Sequence, residues 1–296
     1  MRMHHLNCGT FCPVGRYMIN YRGSLLESGR LVCHCQLIET DDGLVLIDTG
    51  LGTRDVQDPD ESLPGTLWQM VNRAQLRYEE TAIAQVKALG FRPEDVRHIV
   101  LTHLDFDHAG GLPDFPHATV HAYAREFDAA MARRTPREHM RYAPRQYAGH
   151  PTWALYITEG EKWFGFDAVR TIRGVGPDVL LVPLFGHSRG HCGVAVNTPD
   201  GWVLNCGDAA FWHGELDGPV RRCPPGLRFY QNVFQFDRDT RMHNQRRLRE
   251  LVQRAGDQVR VFCSHDPEMM RQFATRGGMS ASPADTQASP EPTAYA

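Results

Sequence analysis

Thr102-His103-Leu104-Asp105-Phe106-Asp107-His108-Ala109-Gly110-Gly111 follows directly on the apolar run Ile99-Val100-Leu101. The stretch puts two imidazoles and two carboxylates within six residues, at the end of a strand-like segment and before a Gly-Gly turn. Four such side chains cannot satisfy one another without leaving charge uncompensated, and a divalent cation is the simplest partner that takes them together.

Reading outward from the motif, three further loops each follow an apolar strand and offer a metal-competent residue. These are Gly186-His187-Ser188-Arg189-Gly190-His191, Asn205-Cys206-Gly207-Asp208-Ala209 and Ser264-His265-Asp266. Strand ends at one edge of a layered sheet converge in space, so loops distant in sequence can build one site on a rigid scaffold.

The pattern resembles the HxHxDH signature of the metallo-β-lactamase superfamily, with Asp105 standing where that family usually has its second histidine. The resemblance runs from about residue 30 to 270, through Leu46-Ile47-Asp48-Thr49-Gly50, the motif, the GHSxGH loop, the CGDA loop and the final SHD. It implies an α/β fold, a four-layer αββα sandwich. It also implies two divalent ions, with zinc expected and manganese or iron as alternatives. Carried over residue by residue, His103, Asp105 and His191 hold one ion, Asp107, His108 and His265 hold the other, and Asp208 bridges them. His187 is then a structural residue of its loop. Asp48 either fixes the motif loop by hydrogen bonds from behind the ligands or simply starts the Thr-Gly turn.

The exchange at position 105 is geometrically plausible, because a carboxylate oxygen lies about as far from Cβ as the Nδ1 of a histidine. Its effect on charge is larger. Two divalent ions are formally balanced by three carboxylates and a bridging hydroxide, where a histidine would leave one positive charge over. A neutral shell makes the bridging water less acidic and favours harder ions such as Mn²⁺ or Fe²⁺.

The implied activity is attack by a metal-bridging hydroxide on the carbonyl of a small-molecule lactone or other carboxylic ester, with Asp107 or Asp208 passing a proton to the leaving group. A glyoxalase II-like thioester hydrolase is the alternative. It would need basic residues for the glutathione carboxylates, and Arg141, Arg145, Arg170 and Arg173 are available. An iron-dependent oxidoreductase of the same fold is a third reading, kept open by the extra carboxylate. Phe106, Phe211 and Trp212 are candidates for the substrate pocket.

Composition agrees with a globular enzyme: 296 residues, 42% hydrophobic and 23% charged, with a formal net charge of -3. No run of like charge points to nucleic acid or a membrane surface, and no apolar stretch is long enough to span a bilayer. Lys87 and Lys162 are the only lysines, which leaves little room for a lysine nucleophile. The start of the chain lacks the apolar core of an export signal, so a cytoplasmic protein is expected, compatible with a homodimer. Its eight cysteines are then free thiols, with Cys33 and Cys35 as ordinary buried strand residues.

Residues 1–276 are expected to form a single domain. The spacing predicts strands at Val32–Glu39 and Leu44–Ile47 around a turn at Asp41-Asp42-Gly43, a helix over Thr81–Leu89, and a strand from His98 into the motif. Beyond it come a strand at Ala118–His121, a helix at Ala122–Met131, strands at Val179–Leu184, Gly193–Asn197 and Trp202–Asn205, a helix at Asp239–Ala255 and a strand at Gln258–Cys263. Residues 133–176 show no clean periodicity and read as a substrate-shaping insertion. From Gly277 to the end the composition predicts a disordered tail.

Overall fold

Several strands are buried at nearly every position, Leu44 to Ile47 among them, so the sheets bury both of their faces. In the computed structural model, which describes residues 1–218 and 220–276, the first sheet has seven strands. They are β1 (Arg2–Phe11), β2 (Leu31–Thr40), β3 (Gly43–Ile47), β4 (Ala74–Gln75), β5 (Val96–Val100), β6 (Thr119–Tyr123) and β7 (Trp153–Tyr156), in the order β4-β1-β2-β3-β5-β6-β7. The second has six: β8 (Glu161–Trp163), β9 (Phe166–Ile172), β10 (Gly176–Pro183), β11 (Cys192–Thr198), β12 (Gly201–Asn205) and β13 (Val259–Phe262), in the order β13-β12-β11-β10-β9-β8. The expected tail from Gly277 lies outside the described residues.

β3 shows how the layers arise. Val45 and Ile47 face the second sheet, where they pack with Val179, Leu181 and Val194. Leu44 and Leu46 face the other way, onto Ala82 and Val86 of the helix Ala82–Ala88 and Ala129 and Ala130 of the helix Ala124–Ala132. A strand covered on both sides reads as a continuous apolar run. The second sheet is closed in the same way by the helix Arg238–Ala255, whose Leu248 and Leu251 pack on Leu204 and Phe262. The result is two mixed β-sheets flanked by helices, the αββα sandwich that the resemblance implies.

The parallel neighbours β3, β5 and β6 all end at one edge, as do β12 and β13. That shared edge carries every loop singled out in the sequence. The segment 133–176 divides in two. Its first part forms the short helices Pro136–Arg141 and Pro144–Tyr147 beside the motif loop, whereas its second part supplies β7 to one sheet and β8 and β9 to the other. It is therefore not an insertion along its whole length. Its irregular pattern reflects short strands with a register shift between β9 and β10. Among the described residues no helix is long and apolar enough to cross a membrane.

Candidate metal centre

Within the motif, apolar and polar residues separate by direction. Leu104 is fully buried in the core beneath the first sheet, and Phe106 packs edge-on against Trp68 with ring centroids 4.7 Å apart. These two anchors hold the loop while His103, Asp105, Asp107 and His108 point the other way. Asp105 begins the short helix Phe106–Ala109, its carbonyl accepting from the amides of His108 and Ala109.

Asp48 grips this loop from behind. Its carboxylate accepts from the Thr102 amide at 2.8 Å and the Thr102 hydroxyl at 2.8 Å, and it pairs with His108 Nδ1 at 2.9 Å. Asp48 itself sits at a φ of 53°, a left-handed conformation costly for a residue with a side chain. With Nδ1 so engaged, His108 turns Nε2 toward Asp208. Thr49 adds a second grip, its amide and hydroxyl donating to the His108 carbonyl at 2.8 and 2.9 Å.

Asp208 lies at the centre of four imidazoles. Its carboxylate oxygens are 3.1 Å from His265 Nε2, 3.4 Å from His108 Nε2, 3.4 Å from His187 Nε2 and 3.8 Å from His103 Nε2. His265 is oriented by Nδ1 bonding to the Val32 carbonyl at 2.8 Å. Burial alone would raise the pKa of Asp208, but His265, His108 and His187 hold it well below the usual carboxylate range. The reciprocal effect, chiefly from Asp208 and Asp48, raises His108 well above an ordinary histidine despite its burial. Asp107, at the rim of the site with its side chain 13% exposed, is 3.7 Å from His265 Nε2. Its pKa is pushed up by burial, an effect that His108 and His265 only partly offset.

His103 Nε2, His108 Nε2 and Asp208 Oδ1 are buried yet have no hydrogen-bond partner. Buried polar atoms without partners are costly, and here three point at common space. One ligand atom each from His103, His108 and Asp208 falls within 4.8 Å of the others, and the same holds for His103, Asp105 and His187. Two clusters of this kind, meeting at His103, fit a binuclear metal site. The donors, imidazole and carboxylate, suit zinc, manganese or iron alike.

The GHSxGH loop corrects the sequence reading. His191 is fully buried, but Nδ1 bonds to the Leu184 carbonyl at 2.9 Å and Nε2 accepts from the Asp208 amide at 2.8 Å. Both of its nitrogens are spent on backbone, so His191 fixes the CGDA loop instead of facing the cluster. Gly207 makes this approach possible, since a Cβ there would lie 2.6 Å from His191 Nε2 and the residue has a φ of +54°. His187 is the histidine that turns inward, with Nε2 3.2 Å from Asp105 Oδ2. It is thus His187, and not His191, whose imidazole faces the cluster.

Asp105 has a partner that the sequence reading did not assign to it. Arg141, from the helix Pro136–Arg141, forms a bidentate pair with it: Nε to Oδ1 at 2.7 Å and Nη2 to Oδ2 at 2.7 Å. The same guanidinium donates to the His187 carbonyl at 2.9 Å and lies 2.7 Å from His187 Nε2. Arg141, His103 and His187 together overcome the burial of Asp105 and hold its carboxylate well below the usual range. For His187, burial and then Arg141 depress the imidazole to about 4. The positive charge lost with the missing histidine is returned by an arginine 36 residues downstream.

Glu126 was also missed. It is 1% exposed and ties the two histidine loops together, accepting from the Leu104 amide at 3.1 Å, the Ser188 hydroxyl at 2.7 Å and the Gly190 amide at 2.7 Å. A glutamate in a helix whose partners are 16 to 64 residues away carries no local signal.

Of the three aromatic candidates, Phe106 lines a cleft of about 380 Å³ together with Leu63, Arg133, His139, Tyr142 and Arg145. Phe211 stacks on His265 with ring centroids 4.9 Å apart. Trp212 faces a different hollow, with His213, Pro267 and Arg271.

Residues 28–257 match the family model described as Metallo-beta-lactamase superfamily. A probable metallo-hydrolase of Mycobacterium tuberculosis is 41% identical over 269 residues, covering 91% of this chain and 81% of the relative. An N-acyl homoserine lactonase of Bacillus cereus is 28% identical over 264 residues, covering 87% and 92%. Among solved structures, an N-acyl homoserine lactone hydrolase with its product N-hexanoyl-L-homoserine bound superposes with a TM-score of 0.66 at 23% identity, covering 92% of this chain and 95% of that one.

Proposed function

The chain belongs to the metallo-β-lactamase superfamily as a metal-dependent hydrolase, and from that premise we propose that it opens a lactone, or cleaves another carboxylic ester, of a small molecule. The observation that carries this reading is the ring of His103, His108, His187 and His265 around Asp208, with three buried polar atoms left without a hydrogen bond. We assign His103, Asp105 and His187 to one ion, Asp107, His108 and His265 to the other, and Asp208 to both. Such ions, when bound, supply an activated water and a Lewis acid for the carbonyl.

The protein's own groups have distinct tasks. Asp48 holds His108 in the tautomer that frees Nε2. Asp208, enclosed by imidazoles, stays ionised and is a poor proton carrier. Asp107 keeps contact with solvent and is the better placed of the two to hand a proton to the leaving oxygen. The cleft beside Phe106 adjoins the motif loop and offers an apolar wall of Leu63 and Tyr142 for an acyl chain.

Lactones and esters are favoured over glutathione thioesters because three of the four arginines counted toward the glutathione carboxylates are engaged. Arg141 is held by Asp105, Arg145 pairs with Glu61, and Arg173 donates to the Leu155 carbonyl over the Tyr156 ring. The similarity to N-acyl homoserine lactonases points the same way. A small-molecule substrate and a cytoplasmic location complete the proposal, with a homodimer as the assembly to look for.

The test is metal analysis of purified protein combined with a panel of lactones, thioesters and aryl esters. Expected are close to two metals per chain and turnover of lactones above thioesters, lost with chelator and restored by zinc, manganese or iron. Protein that holds no divalent ion, or that turns over only thioesters, would refute the corresponding part.

A further inference from the structure

The Cys33-x-Cys35 pair does not act as a pair. Both side chains lie on the same face of β2, but Cys35 packs with Cys8 and Leu37 in the core beneath the first sheet. Cys33 is closer to the strand's beginning, at the edge that carries the metal-competent loops. There the Cys33 sulfur, one carboxylate oxygen of Asp107 and one ring nitrogen of His265 all lie within 4.8 Å of one another. Among the described residues no other cysteine joins a group of this kind.

The backbone holds this arrangement in register. The amide of Val32 donates to the His265 carbonyl at 3.4 Å, and the amide of His34 to the Ser264 carbonyl at 2.9 Å. The Val32 carbonyl in turn receives His265 Nδ1 at 2.8 Å. Cys33 is therefore clamped from both sides against the loop that presents His265. Phe11, Leu51, Leu63 and Phe106 surround it, and it is 1% exposed. Other buried cysteines have structural partners: Cys192 donates to the Leu101 and Thr102 carbonyls, and Cys263 to the Met269 sulfur.

We propose that Cys33 is a protein ligand of the ion shared by Asp107, His108, His265 and Asp208, an inference that rests on the metallohydrolase reading above. Metal–sulfur and metal–nitrogen or –oxygen bonds of about 2.0–2.3 Å let two donors on one ion stand up to ~4.6 Å apart, so adjustments of a fraction of an ångström bring the three atoms onto one centre. The metal–sulfur bond replaces the S–H bond, and the proton leaves to solvent through the open side at Asp107. A thiolate is a soft donor, so this position selects zinc, cobalt or iron over manganese, the opposite bias from the one a carboxylate-rich shell would give.

The experiment is a titration of metal-free protein with Co²⁺, followed by absorption spectroscopy and metal analysis. The wild type is expected to show a sulfur-to-cobalt charge-transfer band in the near ultraviolet beside the weaker ligand-field bands. Cys33→Ser and the apolar Cys33→Val are expected to bind cobalt with the ligand-field bands present and the charge-transfer band gone, and to lose about tenfold or more of their preference for Zn²⁺ over Mn²⁺. Cobalt bound by the wild type without the band, or a band that survives in both variants, overturns the role of Cys33 and leaves the hydrolase reading standing. Wild-type protein that binds no cobalt overturns both.

Discussion

The two halves of the centre are built on different electrostatic plans. Around His108, His265 and Asp208 the protein sets imidazoles against carboxylates, with Asp48 behind His108. Around His103, His187 and Asp105 it adds a buried guanidinium, with Arg141 bonded to Asp105 and lying against His187. The shell that looks neutral when its carboxylates are counted from the sequence regains its positive charge from Arg141. A substitution at a metal-competent position is thus a two-residue event, and the halves should differ in how firmly they hold an ion. His187 Nε2 has to exchange its contact with Arg141 for a metal, whereas His108 Nε2 has no hydrogen bond to give up.

The largest effect is expected where the halves meet. Asp208→Ala removes the carboxylate common to both, and Asp208→Ala or His108→Ala should lower hydrolysis by roughly 10³-fold or more. That matches the several kcal/mol that a metal centre contributes to its transition state. The variants should remain soluble while metal analysis shows loss of at least one ion. Full activity in either variant would remove the site from the reaction.

Next in size is the Asp105–Arg141 pair itself. Arg141→Met leaves a buried carboxylate without its cation and should cost about 3–5 kcal/mol in chemical denaturation. Asp105→His alone should do similar harm, because it strands the guanidinium beside two imidazoles. The combination Asp105→His with Arg141→Met rebuilds the usual histidine arrangement and should recover most of the stability. It should also bring the metal content of the two halves closer together. Simple additivity of the two single losses would show that the residues act independently, and the charge argument would fail. Within the other half, Asp107→Asn should lower kcat by about 10²-fold with little change in KM if Asp107 carries the proton. A drop confined to KM would move it to substrate binding.

The same contrast explains what could be read in the chain. The half formed by His108, Asp208 and His265 was legible because each candidate follows an apolar strand, and the local patterns of period two and of turn residues survive folding. The other half depended on Arg141, Glu126 and the choice between His187 and His191. Those are settled by hydrogen bonds to residues 17 to 82 positions away, which no window along the sequence contains. His191 illustrates the physical difficulty: the buried histidine that braces the backbone and the one that faces the site lie four residues apart with similar surroundings. β1 was missed for another reason. It buries His4, Asn7 and Thr10 beside Leu6 and Cys8, so its polar residues are inside and the alternation that marks a strand is blurred. The helices Pro225–Phe234 and Pro267–Arg276 were missed as well. The first has Leu227 and Gln231 buried and Phe229 exposed, a pattern without a clean apolar stripe.

The smallest effect concerns how the segment bearing Arg141 is seated on the motif loop. Gln146, a few residues beyond Arg141, donates to Asp55 at 3.0 Å and to the Phe106 carbonyl at 3.1 Å, and Asp55 also accepts from the Gly52 amide at 2.8 Å. Burial raises the Asp55 carboxyl from an ordinary 3.8 to about 6, against the opposing hydrogen bonds from Gly52, Gln146 and Ser62. A group whose value is higher in the folded than in the unfolded chain contributes fully below the unfolded value and loses that contribution as pH rises through the folded one. Stability from Asp55 should therefore be complete below about pH 3 and be lost by about pH 7, a change of about 3 kcal/mol at the usual 1.36 kcal/mol per unit. Asp55→Asn removes this titration, so the stability difference between wild type and variant should move in the variant's favour by about that amount between about pH 3 and 7. A difference that stays flat across the window would mean that Asp55 ionises freely. The seat of the Arg141 segment would then owe nothing to its protonation.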